Sequence, residues 1–300
     1  MKPLVAFVSA RAARGLDEDL PPFEAALQAA GARMEVVDWD DPTVDWESFD
    51  LALLRSTWDY IDRLQEFLLW VDAAARRTTL LNPPAVVRWN TDKHYLAELA
   101  RAGVPVVPSM FIEPGESADR ALQDFLGRHG NSAEFVVKPS VGAGSRDTER
   151  HLRGQVEPAV AQAQRLLNAE RSVLLQPYLD SVDRDGETAL IYFAGQFSHA
   201  IRKGPLLPPG LAGSPAVGLF APEQITPRTP GVDELRVAER VLAALPFAVP
   251  LYARIDLIRD PAGAPTLLEL ELTEPSLFFA HAPGAAERFT SVVLEVAATA

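Results

Sequence analysis

The start of the chain alternates between apolar runs of strand length and a stretch of helical spacing. The order is strand, helix, strand, strand, over residues 4–8, 20–30, 34–39 and 51–56. This β-α-β pattern predicts a parallel sheet, and parallel sheets bind ligands at the carboxyl ends of their strands. The loops that we expect at that edge are residues 9–19 and 56–60.

The pattern changes after an Asn-Pro-Pro break at residues 82–84 and a short helix predicted over residues 91–102. The next region combines short strands, a glycine-rich segment and one helix, which predicts a small α+β lid. The last region contains four predicted strands over residues 189–195, 197–203, 252–260 and 266–272. A Pro/Gly-rich stretch over residues 205–230 and a helix over residues 233–245 separate the two strand pairs.

We therefore expect an α/β and α+β protein, since a chain of 300 residues favours two or three modules. Residues 1–103 are predicted to form an N-terminal, substrate-binding domain with a parallel β-α-β sheet. Residues 104–177 are predicted to form the lid subdomain. Residues 178–300 are predicted to form a C-terminal domain with a mostly antiparallel sheet.

Composition narrows the class of ligand. A net charge of −13 opposes nucleic-acid binding, which depends on neutralising many phosphates, so a small-molecule substrate is expected instead. Cysteine is absent, which excludes disulfides and sulfur-ligated zinc and fits a reducing compartment. No apolar stretch approaches the roughly 20 residues of a membrane span. We expect a cytoplasmic protein without a membrane or nucleic-acid partner; the oligomeric state stays open, with a homodimer as one alternative.

Lysine is scarce, and its positions are informative. The 28 basic residues include only four lysines: Lys2, Lys93, Lys138 and Lys203. In FVVKPSVGAGS, Lys138 ends a β-rich run before a loop with Gly142, Gly144 and Ser145. Glycines let backbone amides approach phosphate oxygens, and the lysine adds a point charge. The lysine precedes the glycines, unlike in a Walker loop. The alternative is a flexible hairpin tip.

Two further segments are compatible with nucleotide binding. Lys93 lies near a predicted helix start, with Asn90 and Thr91 as candidate caps; taken alone, this segment is better explained by an exposed helical lysine. The predicted strand that ends at residues 176–178 could present backbone groups to a purine edge, while Glu187 takes ribose hydroxyls. The alternative for this second segment is an ordinary turn.

The most informative pair of segments is YARIDL and LLELELTEP. Residues two apart on a strand share a face, so Arg254 lies with Asp256 and Glu269 with Glu271. If the two strands are neighbours, three carboxylates and one arginine converge. Hard oxygen ligands suit Mg²⁺ and its nucleotide, and Arg254 could stabilise charge on a transferring phosphoryl group. The alternative is a solvated antiparallel face.

The order of these segments resembles the ATP-grasp superfamily over nearly the whole chain. The resemblance implies ATP and Mg²⁺ as cofactors, Arg254 and Lys138 as catalytic residues, and Asp256, Glu269 and Glu271 as metal ligands. The ATP-binding residues implied are Lys93, Lys138, Gly142, Gly144, Ser145, Gln176, Pro177, Tyr178, Leu179 and Glu187. D-alanine ligase-type members usually have Asn in place of Glu271, which leaves the number of metal ions open. The activity implied is activation of a carboxylate as an acyl phosphate, followed by attack of a nitrogen nucleophile.

Three segments are most similar to a branch of short ATP-grasp ligases: RSTWDYIDRLQEFLLW, NPPAVVRWNTDK and ELELTEPSLFF. That branch includes cyclising ligases of antibiotic biosynthesis, which close O-ureido-D-serine into D-cycloserine with loss of the ureido group. The resemblance therefore implies intramolecular cyclisation. The alternatives are an intermolecular carboxylate-amine ligase, of the dipeptide or glutathione synthetase type, and a non-catalytic nucleotide-binding protein.

An amino-acid substrate carries a carboxylate and an ammonium group, so its pocket needs basic and acidic side chains. Candidates from the two N-terminal loops are Arg14, Asp17, Arg55, Ser56, Thr57, Asp59 and Tyr60. Arg202 and Lys203 follow a strand in the last region and are further candidates for binding phosphate or substrate carboxylate. His281 is a weaker candidate for proton transfer, because a lone histidine is more often simply packed. For the loop residues, the alternative is an ordinary solvated surface.

Overall fold

The structure is a computed structural model that describes residues 2–207 and 224–299. Its N-terminal sheet has the strand order β2-β1-β3-β4, and all neighbouring strands are parallel. The elements of this part are β1 (Leu4–Ser9), α1 (Leu20–Ala29), β2 (Arg33–Asp38), β3 (Leu51–Ser56), α2 (Leu64–Ala75), β4 (Thr79–Leu81), α3 (Pro84–Asn90) and α4 (Tyr95–Arg101). The predicted parallel sheet is therefore confirmed.

The second sheet is antiparallel, with the order β5-β8-β6-β7, and two helices pack on it. Its elements are β5 (Met110–Ile112), α5 (Ala118–Arg128), β6 (Glu134–Pro139), β7 (Glu149–Leu152), α6 (Val156–Asn168) and β8 (Val173–Pro177). Apolar residues at helical spacing, such as Leu122 and Phe125 on α5 and Ala163 and Leu166 on α6, are buried against this sheet. These elements form the predicted α+β lid.

The third sheet is also antiparallel, with the order β11-β10-β9-β12-β13. The elements of this part are α7 (Ser181–Asp185), β9 (Glu187–Phe193), β10 (Gln196–Lys203), β11 (Ile225–Arg228), α8 (Val232–Ala243), β12 (Tyr252–Arg259), β13 (Pro265–Glu271) and α9 (Ala285–Ala297). Most of the Pro/Gly-rich prediction, residues 208–223, lies outside the described residues. Within its remainder, β11 is a strand that the sequence did not predict.

The C-terminal helix joins the first and third sheets. Phe289 of α9 lies 5.0 Å, between ring centroids, from both Phe23 of α1 and Phe193 of β9. One apolar cluster therefore contains residues of both sheets. The C-terminal helix α9 thus packs on the N-terminal part of the protein. The domain boundaries predicted at residues 103 and 177 stay predictions. Among the described residues, no helix is long and apolar enough to cross a membrane.

Candidate active site

Residues of the two antiparallel sheets line one cavity together with residues of the loops that follow β1 and β3. The predicted site residues on its wall are Asp17, Tyr60, Lys93, Lys138, Gly142, Gly144, Ser145, Gln176, Pro177, Tyr178, Leu179, Glu187, Lys203, Arg254, Glu269 and Glu271. The motifs come from distant parts of the chain, and β6, β8, β12 and β13 bring them together. The cavity therefore has a lid side, a carboxylate side and an N-terminal loop side.

The two predicted phosphate-binding lysines face this cavity. Lys93 Nζ donates to the carbonyl oxygen of Gly142 at 2.9 Å and lies 3.0 Å from Glu269 Oε1. Lys138, the penultimate residue of β6, is buried, and burial lowers its pKa to about 8, with Glu269 opposing the shift and Lys93 adding to it. Anionic phosphate oxygens beside Lys138 would favour its charged form. The pair therefore offers two cationic groups next to the glycine loop.

Strand register explains the carboxylate side. Asp256 lies opposite Glu269, and Arg254 lies opposite Glu271, on the antiparallel pair β12-β13. Arg254 Nε donates to Asp256 Oδ1 at 2.9 Å, and its guanidinium also bonds Glu271. Lys203 Nζ lies 3.1 Å from Asp256 Oδ2. The predicted convergence of these charged residues is observed, and each carboxylate has a cationic neighbour.

Glu269 and Glu271 have opposite pKa shifts. Burial alone would raise the pKa of Glu269, but Lys93 and Lys138 hold it well below its usual range. Burial raises the pKa of Glu271, against the effect of Arg254 and with a contribution from Glu269. Two carboxylates of unequal proton affinity therefore lie side by side on β13.

Glu269 and Glu271 fit a magnesium site by their chemistry. Mg²⁺ is usually held by one or two carboxylates together with substrate phosphates, and both glutamates line the cavity beside the lysines. Burial is the main cause of the raised pKa of Glu271, and a divalent cation would also offset the repulsion by Glu269 that adds to it. Asp256, the third predicted metal ligand, is fully buried behind them, where Arg254 and Lys203 bind its oxygens; metal binding by Asp256 stays a prediction. Within residues 2–207 and 224–299, no three acidic, histidine or cysteine side chains form a ready metal cluster.

The predicted purine-binding segment is held by side chains of the lid and of α7. Gln176 Nε2 donates to Ser109 Oγ at 2.9 Å, and the Tyr178 hydroxyl donates to Asp183 at 2.7 Å. The guanidinium carbon of Arg150 lies 3.6 Å from the centroid of the Tyr178 ring. These contacts fix the backbone at the end of β8 and just after it, where Pro177 and Leu179 line the cavity. Nothing in the sequence pattern indicated Arg150.

Of the substrate residues predicted in the two N-terminal loops, Asp17 and Tyr60 line the cavity. Asp17 Oδ1 accepts a bond from the backbone N–H of Asp19 at 3.0 Å, whereas Oδ2 is buried and has no partner in the described part of the chain. Burial raises the pKa of Asp17, and Arg55 opposes that rise. Burial also raises the pKa of Tyr60, as does its hydrogen bond with Glu274.

Other predicted substrate residues lie away from the cavity wall and have partners elsewhere. Arg55 is 1% exposed and donates to Asp19 at 3.3 Å and to the carbonyl oxygen of Pro275 at 2.9 Å, which ties β3 to the segment after β13. Asp59 accepts a bond from Trp39, and Arg202 donates to a backbone carbonyl.

The remaining three loop candidates also lie away from that wall. Arg14 pairs with Asp38, Ser56 bonds Ser9, and the Thr57 hydroxyl is buried. Substrate contact through Arg14, Arg55, Ser56, Thr57, Asp59 and Arg202 stays an untested prediction.

Sequence similarity to known proteins assigns this chain to a family. Residues 5–82 match the family model of the N-terminal domain of D-cycloserine synthetase DcsG. The cycloserine biosynthesis protein DcsG of Streptomyces lavendulae is 40% identical over 298 residues, which is 97% of this chain and 98% of that protein. The chain belongs to the D-cycloserine synthetase family.

Solved structures agree with this family assignment. The crystal structure of D-cycloserine synthetase DcsG is 39% identical, with a TM-score of 0.91 over 98% of this chain and 99% of that chain. The ATP-grasp ligase PsnB, in complex with a minimal precursor, Mg and ADP, is 17% identical, with a TM-score of 0.62 over 97% of this chain and 98% of that one. The second likeness shows the ATP-grasp fold alone. The predicted fold and ATP-dependent carboxylate-nitrogen ligase class are confirmed for this member of the synthetase family.

Sequence reasoning missed several wall residues of this synthetase-family enzyme. Glu274, Ser276 and Phe278 follow β13, and Trp58 lies beside Tyr60. Glu274 lies three residues after Glu271, in a segment that carried the resemblance to short ligases. Because β13 ends at Glu271, the alternation of side chains along the strand could not predict which way Glu274 points. Its position depends on how the chain turns after β13.

Proposed function

We propose that this protein closes O-ureido-D-serine into D-cycloserine at the expense of ATP. The observation that carries the proposal is that Lys93, Lys138 and Glu269 line the same cavity as Asp17 and Tyr60, which belong to the two N-terminal loops. The identity of 40% over nearly the full length of a cycloserine biosynthesis protein supports the choice of substrate.

ATP is bound with its phosphates beside Lys93 and Lys138 and its adenine beside the segment after β8. Glu187, which lies 3.2 Å from Lys203, takes the ribose hydroxyls. Glu269 and Glu271 hold Mg²⁺, which neutralises phosphate charge when it is bound. Asp256 orients Arg254, whose guanidinium is then fixed towards the phosphoryl group in transfer.

Asp17 binds the substrate ammonium group through the buried oxygen that has no partner in residues 2–207 and 224–299. The substrate carboxylate attacks the γ-phosphorus, and the acyl phosphate forms with release of ADP. The nitrogen that carries the ureido carbonyl then attacks the activated carbonyl carbon, that nitrogen loses its proton, and phosphate leaves. Water afterwards cleaves the carbamoyl group from the ring nitrogen as carbamic acid, which decomposes to ammonia and carbon dioxide and leaves D-cycloserine. Closing the cavity excludes water from the acyl phosphate until the ring has formed.

The proposal also covers the partners of the enzyme and its cellular compartment. The substrate is a free small molecule, and the net charge of −13 supports independence from nucleic acid. The absence of cysteine supports a cytoplasmic, reducing environment, in which no disulfide is needed.

Release of ADP tests the proposed function. We expect O-ureido-D-serine alone to stimulate ADP release from MgATP, because both the electrophile and the nucleophile belong to one molecule. D-Serine, which has the same carboxylate and ammonium groups without the ureido nitrogen, is the matched control. Stimulation that needs a second amine would indicate an intermolecular ligase. An absence of stimulation by any amino-acid derivative would indicate a non-catalytic nucleotide-binding protein.

A further inference from the structure

Glu274 lies between the phosphate side of the cavity and the substrate loop. It follows β13 by three residues and lines the cavity together with Glu269 and Arg254. Its backbone carbonyl accepts a bond from Trp58 Nε1 at 3.3 Å, and its carboxyl group is hydrogen-bonded with Tyr60. Trp58 and Tyr60 belong to the loop after β3. The carboxyl group of Glu274 therefore lies between the residues proposed to bind the ATP phosphates and the loop after β3, which is proposed to contact the amino-acid substrate.

Ring closure requires an acceptor for one proton. The attacking nitrogen of O-ureido-D-serine carries a hydrogen and shares its lone pair with the ureido carbonyl, so the neutral group is a weak nucleophile. A positioned base that removes the proton as the new bond forms typically contributes about 10²–10⁴-fold to the rate. The residues assigned to ATP, metal and ammonium binding leave this role open.

We propose that Glu274 is the general base for ring closure, an inference that rests on the proposed function. Its carboxylate accepts the N–H proton while the nitrogen electron pair forms the bond to the carbonyl carbon. The bond from that carbon to the phosphate oxygen breaks, and its electron pair leaves with inorganic phosphate. Glu274 becomes a neutral acid and returns its proton to solvent after the product leaves.

The surroundings of Glu274 suit a proton acceptor. Burial raises its pKa to about 7, with the Tyr60 hydrogen bond and the charge of Lys93 opposing the rise and Glu269 adding to it. A base with a pKa near the working pH combines a useful fraction of carboxylate with sufficient proton affinity. Tyr60 also restricts the direction of the carboxyl group, so we assign Tyr60 as its positioning residue.

Glu274 could instead hold the substrate ammonium group, which the cavity otherwise offers to Asp17. The two roles differ in the step that they affect. An ammonium-binding residue acts before phosphoryl transfer and alters KM, whereas a base for ring closure acts afterwards. Separate measurement of the acyl phosphate and of the ring distinguishes the two roles.

The test uses Glu274→Gln, which keeps the size of the side chain and cannot accept the proton. The full-length variant is given MgATP and O-ureido-D-serine, with hydroxylamine to trap the acyl phosphate as a hydroxamate. We expect hydroxamate formation within about threefold of wild type and ring formation lowered by about 100-fold or more. Preserved hydroxamate formation also shows that the variant is folded.

Matched variants complete the test. Glu287→Gln changes an exposed glutamate on α9 and is expected to leave both products unchanged. Tyr60→Phe is expected to preserve the hydroxamate and to lower ring formation by about tenfold, since the base remains but is less well oriented. A purely structural role for Tyr60 would lower both products together.

Three outcomes would overturn the inference, and they have different meanings. Ring formation near the wild-type rate in Glu274→Gln would leave the proposed function intact and exclude Glu274 as the base. Equal losses of hydroxamate and ring, with a raised KM for the amino acid, would make Glu274 a binding residue. Hydroxamate without any ring from the wild-type enzyme would refute the proposed function itself, and the inference with it.

Discussion

The carboxylates on β12 and β13 and the carboxylate of Asp17 belong to the same site but have different surroundings. Asp256 bonds Arg254 and Lys203, and Glu269 lies 3.0 Å from Lys93. Asp17 instead keeps one buried oxygen that has no partner among the described residues. A buried polar atom without a partner costs roughly 1–3 kcal/mol. The difference suggests that the phosphate side is organised before ligands bind, whereas the substrate side gains its interactions with the ligand.

The largest losses of turnover should come from substitutions on the phosphate side of the cavity. Lys138→Ala and Glu269→Gln should each lower turnover by about 10³-fold or more, because each removes charge stabilisation that is realised in phosphoryl transfer. ADP release measures this effect, and thermal unfolding should show a retained fold. Lys2→Ala, which alters an exposed lysine, is the matched control. Near wild-type turnover in either site variant would refute the assignment of that residue.

A smaller and more selective effect is expected on the substrate side. Asp17→Asn should raise the KM for O-ureido-D-serine by about 10- to 100-fold, the cost of one hydrogen bond to a charged group. The KM for ATP should change little. Steady-state kinetics with each substrate varied separately measures both values, and an equal rise in the two would contradict the role in ammonium binding.

We also expect Asp17→Asn to keep or to increase the thermal stability of the folded protein. Burial raises the pKa of Asp17 in the folded state. The folded protein therefore loses stability relative to the unfolded chain as pH rises from the ordinary aspartate range through the raised pKa, and this loss persists at neutral pH. Asp17→Asn should unfold at the same temperature as wild type at pH 7, or at a higher one. Clear destabilisation would contradict this account.

The pH dependence of nucleotide binding sharpens the phosphate side of the comparison. Burial lowers the pKa of Lys138 to about 8, so the amine loses its proton as pH rises through this value. Affinity for MgATP should then fall, by at most about tenfold per pH unit, and binding at pH 8.5 should take up a proton. Calorimetry in two buffers of different ionisation enthalpy measures that uptake. Lys138→Arg, which keeps its charge, should show neither effect; a wild type without proton uptake would contradict the prediction.

The smallest effect concerns a contact between the lid and the N-terminal part. Arg146 of the glycine loop pairs with Asp62 at 2.7 Å, and both side chains are largely exposed. Such pairs contribute about 0.2–1 kcal/mol. A double-mutant cycle with Arg146→Ala and Asp62→Ala, read out as affinity for MgATP, should give a coupling in this range that weakens with salt. A coupling of zero would exclude the pair from lid closure.

Much of this site follows from local patterns. Strand alternation places Arg254 with Asp256 and Glu269 with Glu271, and antiparallel register brings the two pairs together. The order of the two lysine segments identified the nucleotide side, and the β-α-β pattern identified the loop of Asp17. These predictions depend on spacings of a few residues, which a sequence displays directly.

The remainder depends on contacts between distant segments. Arg55 and Pro275 are separated by 220 residues, and a hydrogen bond joins them. Arg55 was predicted to bind the substrate only because it lies at the end of a strand, whereas its side chain is buried in this contact. Glu274 reaches the cavity through the turn after β13, and its backbone carbonyl accepts a bond from Trp58, 216 residues away in the sequence. No local spacing specifies such contacts, because they follow from how α9 and the first sheet pack.

The most direct test of the account is to incubate the enzyme with O-ureido-D-serine and MgATP, without an added amine, and to quantify D-cycloserine and ADP by mass spectrometry. The account predicts that the ring appears in about equal amount to ADP, because each acyl phosphate is captured by the nitrogen of its own molecule. Release of ADP with only open-chain material recovered, or a product that incorporates a second amine, would contradict it.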